Sequence, residues 1–207
     1  MENGKCEDER NADREKRWLR IAGPRYAECS LDNFTFYDKQ QSAAVELVRN
    51  YASGLRSRFV AGESLILFGP KGTGKDHLAS AVARMAFWAG CSVRRVSGPV
   101  LQGESRDSFH GDASEAAIVE RYTTPDFLWL SDPVVPGGKL SDHQMAILYR
   151  ILDTRYSARL PTLMTANAEN RADLEERVGA AIIDRVSHGA TVAFCDWPSF
   201  RSPELAR

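Results

Sequence analysis

The sequence predicts an α/β fold, a five-stranded parallel sheet flanked by helices. Three observations predict it. Five short apolar runs recur along the chain, each too short for a helix. Stretches with helical spacing separate them. One run leads directly into a glycine-rich loop that opens a helix. Strands alternating with helices need crossovers, and the crossovers cover both faces of a parallel sheet.

The elements run in order along the chain. Residues 1 to about 16 mix acids and bases, with no large apolar residue after Met1. Such a segment cannot offset its ordering entropy and is predicted to be a disordered charged leader. Residues 17–207 read as a single domain, which is long enough to bury a real core. RWLRIAGPRYAECSLDNF spaces Trp18, Leu19, Ile21, Tyr26, Leu31 and Phe34 irregularly, as a lead-in draped on that core. A helix covers Gln40 to Tyr51, with Ala44, Val45, Leu47 and Val48 on one side. SLILF (Ser64–Phe68) is a strand buried on both faces. HLASAVARMAFWAG is a helix closed by Gly90.

CSVRRV (Cys91–Val96) is the second strand, and one or two short helices fill 98–120. FLWL (Phe127–Leu130) is the third strand. Ser141 and Gln144 form an S-x-x-Q capping box for a helix through about Tyr156. PTLMTAN gives the fourth strand. ADLEERVGAAIIDRVSHG is helical with a break near Gly179, and ATVAF (Ala190–Phe194) is the fifth strand.

Composition excludes several classes. Charged residues are 27% of the chain and net charge is −1, so no global positive field recruits nucleic acid. The four cysteines, Cys6, Cys29, Cys91 and Cys195, form no C-x-x-C pair and no zinc-type cluster. Scattered thiols of this kind suit a reducing compartment. No apolar run has the length of a membrane span, and the N-terminus lacks a signal-type apolar core. A cytoplasmic protein without a membrane partner is expected.

GPKGTGKDHL carries the chemistry. Gly69, Pro70, Lys71, Gly72, Thr73, Gly74 and Lys75 match a phosphate-binding loop, and strand, loop and helix come in the order it needs. The glycines let the loop curl its N–H groups around a phosphate. The helix N-terminus adds partial positive charge, and Lys75 reaches the β/γ oxygens. The pattern asks for Ser or Thr next, but Asp76 stands there, with His77 after it.

These residues, together with several segments C-terminal to them, resemble the DnaC/IstB-like helicase-loader branch of the AAA+ ATPases. GTGKDHLASAV is similar to that family's phosphate loop and its His-Leu pair. LDTRYSARLPTLMTAN resembles its helix and sensor-1 strand, IIDRVSHG its arginine-finger helix, and DWPSFRS its sensor-2 segment. The resemblance runs from about Pro24 to Arg201. It implies an AAA+ P-loop domain over 17–207 with ATP and Mg²⁺ as cofactors. Lys71, Thr73, Lys75, Asp76 and His77 would then lie at the nucleotide, with Asn167 as sensor 1 orienting the attacking water. Arg185 would be the arginine finger of a self-associating assembly, and Arg201 would be sensor 2.

From the residues alone, Asn167 also reads as a strand-end turn residue. Arg185 also reads as a surface partner of Asp184 or Glu176, and Arg201 as a solvated tail residue.

Where the family carries an acid after its third strand, this chain has Ser131. Asp132 takes the place of the catalytic glutamate. Serine and aspartate there also fit a strand-to-turn cap. The family expects a hydroxyl at position 76 and a carboxylate at 131, so the two ligand types stand exchanged. Asp76, Ser131 and Asp132 are the candidate metal-binding residues. Competent and slow ATPase both remain open, since Asp132 is one methylene shorter than glutamate.

The implied roles are helicase loading in DNA replication, an IstB-like transposition helper, or a nucleotide-dependent scaffold with negligible hydrolysis. Partners would be a replicative helicase or a transposase. Single-stranded DNA would meet Arg94, Arg95 and Arg106, with Phe109 and His110 stacking on bases. Phe109 also reads as a core residue beside a solvated charged face.

Overall fold

The computed structural model describes residues 7–35, 39–111, 114–135 and 138–201. Five strands form one sheet: β1 (Leu65–Gly69), β2 (Val93–Ser97), β3 (Phe127–Ser131), β4 (Thr162–Asn167) and β5 (Thr191–Phe194). The order is β2-β3-β4-β1-β5, and every neighbouring pair is parallel. This is the sheet the sequence predicts.

Alternating side chains divide β1, β3 and β4 between two cores, as a period of two requires. Leu65, Leu67, Phe127, Trp129 and Leu163 face one layer. That layer holds α1 (Glu7–Ala22), α2 (Lys39–Ser53), α3 (Leu55–Ala61) and α4 (Lys75–Trp88). Ile66, Leu128, Leu130 and Met164 face the other. There lie α5 (Gly98–Phe109), α6 (Glu115–Thr123), α7 (Asp142–Ser157), α8 (Arg171–Val178) and α9 (Ala180–Ser187).

The predicted caps form. Ser141 and Gln144 make both hydrogen bonds of the capping box on α7. Gly90 and Cys91 close α4 by donating to the carbonyls of Phe87 and Ala86. Gly179 separates α8 from α9.

Three expectations need correction. The charged leader is helical from Glu7 onward, not disordered to residue 16; residues 1–6 lie outside the described part. Acids occupy the first turn of α1, where they suit the helix dipole. Trp18 and Ala22 are buried, and the Arg14 guanidinium donates to the carbonyls of Phe87 and Trp88 at the end of α4. Tertiary anchoring therefore supplies what composition lacks. Leu47 is 45% exposed, and Gln41, Tyr51 and Ala52 are buried with Ala44, Val45 and Val48. Phe109 is 70% exposed, so the core reading of that residue fails.

Candidate nucleotide site

The strand register assembles the site. Ser131 lies opposite Thr165, and Gly69 opposite Asn167, at the carboxyl ends of β3, β4 and β1. Ligands of open parallel sheets bind at this edge. Parity turns Ser131 and Thr165 toward α4, as it does Trp129 and Leu163. The glycine loop then delivers the first turn of α4 to the same place.

The loop is shaped from behind by the segment after β5. Cys195 N–H donates to the Phe68 carbonyl at 2.7 Å, and Phe200 N–H to the Gly72 carbonyl at 2.9 Å. Trp197 Nε1–H donates to the Thr73 carbonyl at 2.9 Å. Gly72 has φ +84°, and a Cβ there would sit 1.9 Å from Ser199 Oγ. Glycine is thus needed for this contact as well as for the curl.

Lys75 is buried. Its Nζ donates to the Gly69 carbonyl at 2.9 Å, the Pro70 carbonyl at 2.6 Å and Thr73 Oγ1 at 3.4 Å. Burial holds its pKa below the ordinary lysine value, against the pull of Cys195, Asp132 and Asp76. His77 Nε2 meets the Ser30 carbonyl at 2.9 Å, and its ring packs edge-on against Phe34. The lead-in is thereby clasped to α4, where Ser80 Oγ also donates to the Tyr26 carbonyl.

A cavity of about 650 Å³ opens between lead-in, loop and strand ends. Its wall includes Arg25, Tyr26 and Phe34 from the lead-in. Lys71, Gly72, Gly74, Lys75, Asp76, His77, Asp132, Asn167 and Arg201 complete the predicted set that reaches it. Gly69, Pro70 and Thr73 brace Lys75 from behind. The size suits a small ligand, and the cations and aromatic rings in the lining suit one with anionic and aromatic parts.

Asp76 and Ser131 are in direct contact. Ser131 Oγ–H donates to Asp76 Oδ1 at 2.9 Å. Thr165 Oγ1–H donates to the same oxygen at 2.9 Å. Asp132 has φ +45°, a left-handed conformation that aspartate tolerates better than most residues. Its N–H donates to the Thr165 carbonyl at 2.9 Å and faces Thr165 Oγ1 at 3.3 Å. Its Oδ1 is buried without a protein partner among the described residues.

Burial, then the charge of Asp76, pushes the Asp132 carboxyl up to about 6, against the pull of Lys75 and the Asn167 amide. The folded chain therefore holds that proton more tightly than the unfolded one. The associated stability is complete below the ordinary value of 3.8 and lost as pH rises through about 6. In metal-free buffer near pH 7.5, Asp132→Asn should melt higher than the parent, by on the order of 1–2 kcal/mol. The gap should close as pH falls toward about 4. Coincident melting curves at both pH values would show that the carboxylate is not disfavoured by its surroundings.

Arg185 does not reach this cavity. It lies on α9, with Nε 2.9 Å from Asp153 and a hydrogen bond of 3.2 Å to Tyr149 Oη. Both partners are on α7, so the expected pairing with Asp184 or Glu176 is replaced by this one.

Arg95 is not turned outward as a DNA contact. Its guanidinium lies 4.7 Å from the Tyr26 ring and 4.5 Å from the Trp129 ring, and donates to the Ala22 carbonyl. Arg94 and Arg106 are exposed.

Two site residues escaped the sequence reading. Thr165 sits two positions before Asn167 on β4, so strand periodicity alone puts it on the same face. Arg177 donates to the carbonyls of Asn167 and Val135, tying the end of β4 to the loop after β3. A surface helix arginine carries no such signal.

The model of the IstB-like ATP binding protein family matches residues 5–204, a span that takes in the loop, the strand ends and Arg201. This chain belongs to that family.

The replicative helicase loader DnaC of Escherichia coli (strain K12) is 26% identical over 181 residues, 86% of this chain and 71% of that protein. An ATP-binding protein in an insertion sequence of Mycobacterium tuberculosis is 28% identical over 148 residues, 68% of this chain and 57% of that one. Among solved structures, the crystal structure of the DnaC helicase loader superimposes with a TM-score of 0.71 at 20% identity. It covers 83% of this chain and 99% of that one. The IstB-like chain therefore has the AAA+ P-loop fold, and its family binds ATP. No helix among the described residues is long and apolar enough to cross a membrane.

Proposed function

We propose that this IstB-like chain binds ATP with Mg²⁺ in the cavity and uses the nucleotide to control assembly on DNA or on a replicative helicase. The convergence of Lys75, Asp76, Asp132, Asn167 and Arg201 on one cavity at a helix N-terminus carries this reading. The loop N–H groups and Lys75 hold the β- and γ-phosphates, and Arg201, which lines the same cavity, adds a second positive charge. Asn167 orients the attacking water, and Asp132 takes its proton.

The donors near α4 suit Mg²⁺. Asp76, Ser131 and Asp132 offer hard oxygens, and the unpartnered Asp132 Oδ1 lacks a protein donor among the described residues. Asp76 and Asp132 would hold the ion, with Ser131 against Asp76; when bound, the ion offsets the negative charge of the transferring phosphoryl group.

Arg185 acts between copies in this reading, and α9 presents it away from its own cavity. ATP should then drive self-association, measurable by light scattering on a sizing column. Arg185→Ala should keep ATP affinity within about threefold while hydrolysis falls by about 10³-fold, the loss expected of an arginine finger. Retained hydrolysis in that variant removes the assignment.

The short Asp132 and the serine at 131 favour slow turnover, which brings in a second reading as a nucleotide-dependent scaffold. ATPase assays with and without single-stranded DNA separate the two. Phe109, exposed beside His110 and His143, is an aromatic available to such DNA. Similarity to an insertion-sequence protein supports a transposition helper as the alternative role. Copurification with a helicase or with a transposase distinguishes them.

A further inference from the structure

We propose that Asp76 and Ser131 act as an exchanged ligand pair, with the Asp76 carboxylate meeting the divalent cation directly and Ser131 supporting it from behind. The inference rests on the nucleotide-site reading and goes beyond it. It makes nucleotide capture by this chain conditional on the metal.

The hydrogen bonds carry the assignment. A carboxylate only accepts, so the protons of Ser131 and Thr165 are both committed to Asp76 Oδ1. Each hydroxyl has one proton, so neither can donate to a phosphate while these bonds last. The two donors converge on a single oxygen. Oδ2 is thereby left as the oxygen available to the cavity that Asp76 lines. Asp76 also occupies the first turn of α4, where a phosphate would otherwise receive the full benefit of the helix N-terminus. Lys75 offsets that charge only through space, because its ammonium donates to the Gly69 and Pro70 carbonyls and not to Asp76.

A bound triphosphate would therefore face a fixed negative charge at short range in a half-enclosed site. Like charges repel there, and a divalent cation held between them reverses the sign. Mg²⁺ accepts this geometry because it takes one or two carboxylates together with phosphate oxygens. Ser131 is buried and gives its proton to Asp76 Oδ1, so it steadies the carboxylate and brings no charge of its own to the ion. The pair thus keeps one carboxylate and one hydroxyl in the site, on reversed elements.

The experiment is a double-substitution cycle read by binding rather than turnover. Affinity for a fluorescent ATP analogue is measured in Mg²⁺ and in EDTA for the parent, Asp76→Thr, Ser131→Asp and the double variant. Mn²⁺ binding to each protein–nucleotide complex is followed by electron paramagnetic resonance. The parent should bind at least about 100-fold tighter with Mg²⁺, and Asp76→Thr should reduce that ratio to about tenfold or less. Asp76→Asn, which keeps the side-chain shape, should do the same.

Ser131→Asp alone should be the weakest binder, because two carboxylates in contact either repel or share a proton that competes with the cation. The double variant should recover Mg²⁺-supported binding to within about threefold of the parent, and its Mn²⁺ signal with it. An unchanged Mg²⁺ ratio in both Asp76 variants overturns the pair, as does a double variant no better than the worse single. A parent that binds equally well in EDTA overturns this inference and leaves the nucleotide site standing. A parent indistinguishable from Lys75→Ala under both conditions overturns both.

Discussion

Lys75→Ala is expected to weaken ATP binding by at least about 100-fold, the loss of roughly 3 kcal/mol of charge-assisted hydrogen bonding to phosphate. Lys75 opens the first turn of α4, and its ammonium is buried against the loop carbonyls. Two costs set the size of the effect. The loop N–H groups lose the charge that draws a polyanion into a site already containing Asp76 and Asp132. Removing the side chain also takes one hydrogen bond from each of the Gly69 and Pro70 carbonyls, where Nζ braces the loop. Isothermal titration at a fixed Mg²⁺ concentration measures the loss. Lys75→Arg should not rescue it, because a planar fork cannot replace a compact ammonium in that space. Binding within about threefold of the parent would mean that nucleotide is held elsewhere.

The second large effect is on folding. Arg155 is fully buried, and all five of its N–H groups are used. They donate to the carbonyls of Tyr122, Pro125, Asp126 and Pro161 and to Thr162 Oγ1. Among the described residues no carboxylate takes part; the Asp126 carboxylate caps Ser92 instead. Burial lowers the guanidinium pKa to about 10, so it stays charged at neutral pH.

Arg155→Ala strands four backbone carbonyls between α6, β3 and β4, and should cost about 3–5 kcal/mol. For a chain of this length that is a fall in Tm of about 10 °C or more. Arg155→Lys should recover part of the loss, since an ammonium has three donors where five are needed. Thermal melts of the two variants test the order, and a loss below about 1 kcal/mol would show that water can replace the fork.

Arg155 also marks where the sequence stops being readable. The sheet was legible because apolar runs of fixed length, set between helical stretches, have few other homes. The phosphate loop was legible because glycine spacing is a backbone requirement. Asp76 and Ser131 were legible as a pair because both depart from one expected pattern and do so in opposite senses. Arg95, Arg155 and Arg177 were not. Their main acceptors are carbonyls and aromatic faces far away in the chain, and a carbonyl leaves no mark in residue type. The helical start at Glu7 was hidden for a related reason. Composition reports the entropy of ordering α1, but not that Arg14 finds the open carbonyls at the end of α4.

The loop between β1 and α4 takes its form from residues made much later. Trp197 and Phe200 hold the Thr73 and Gly72 carbonyls across more than half of the chain. During synthesis, β1 and α4 leave the ribosome well before either of those residues exists. A nascent chain at that stage has the glycines and the lysine but no template to set them. The set form of the loop therefore waits for residues 197–200, however complete the strand and helix on either side of it already are.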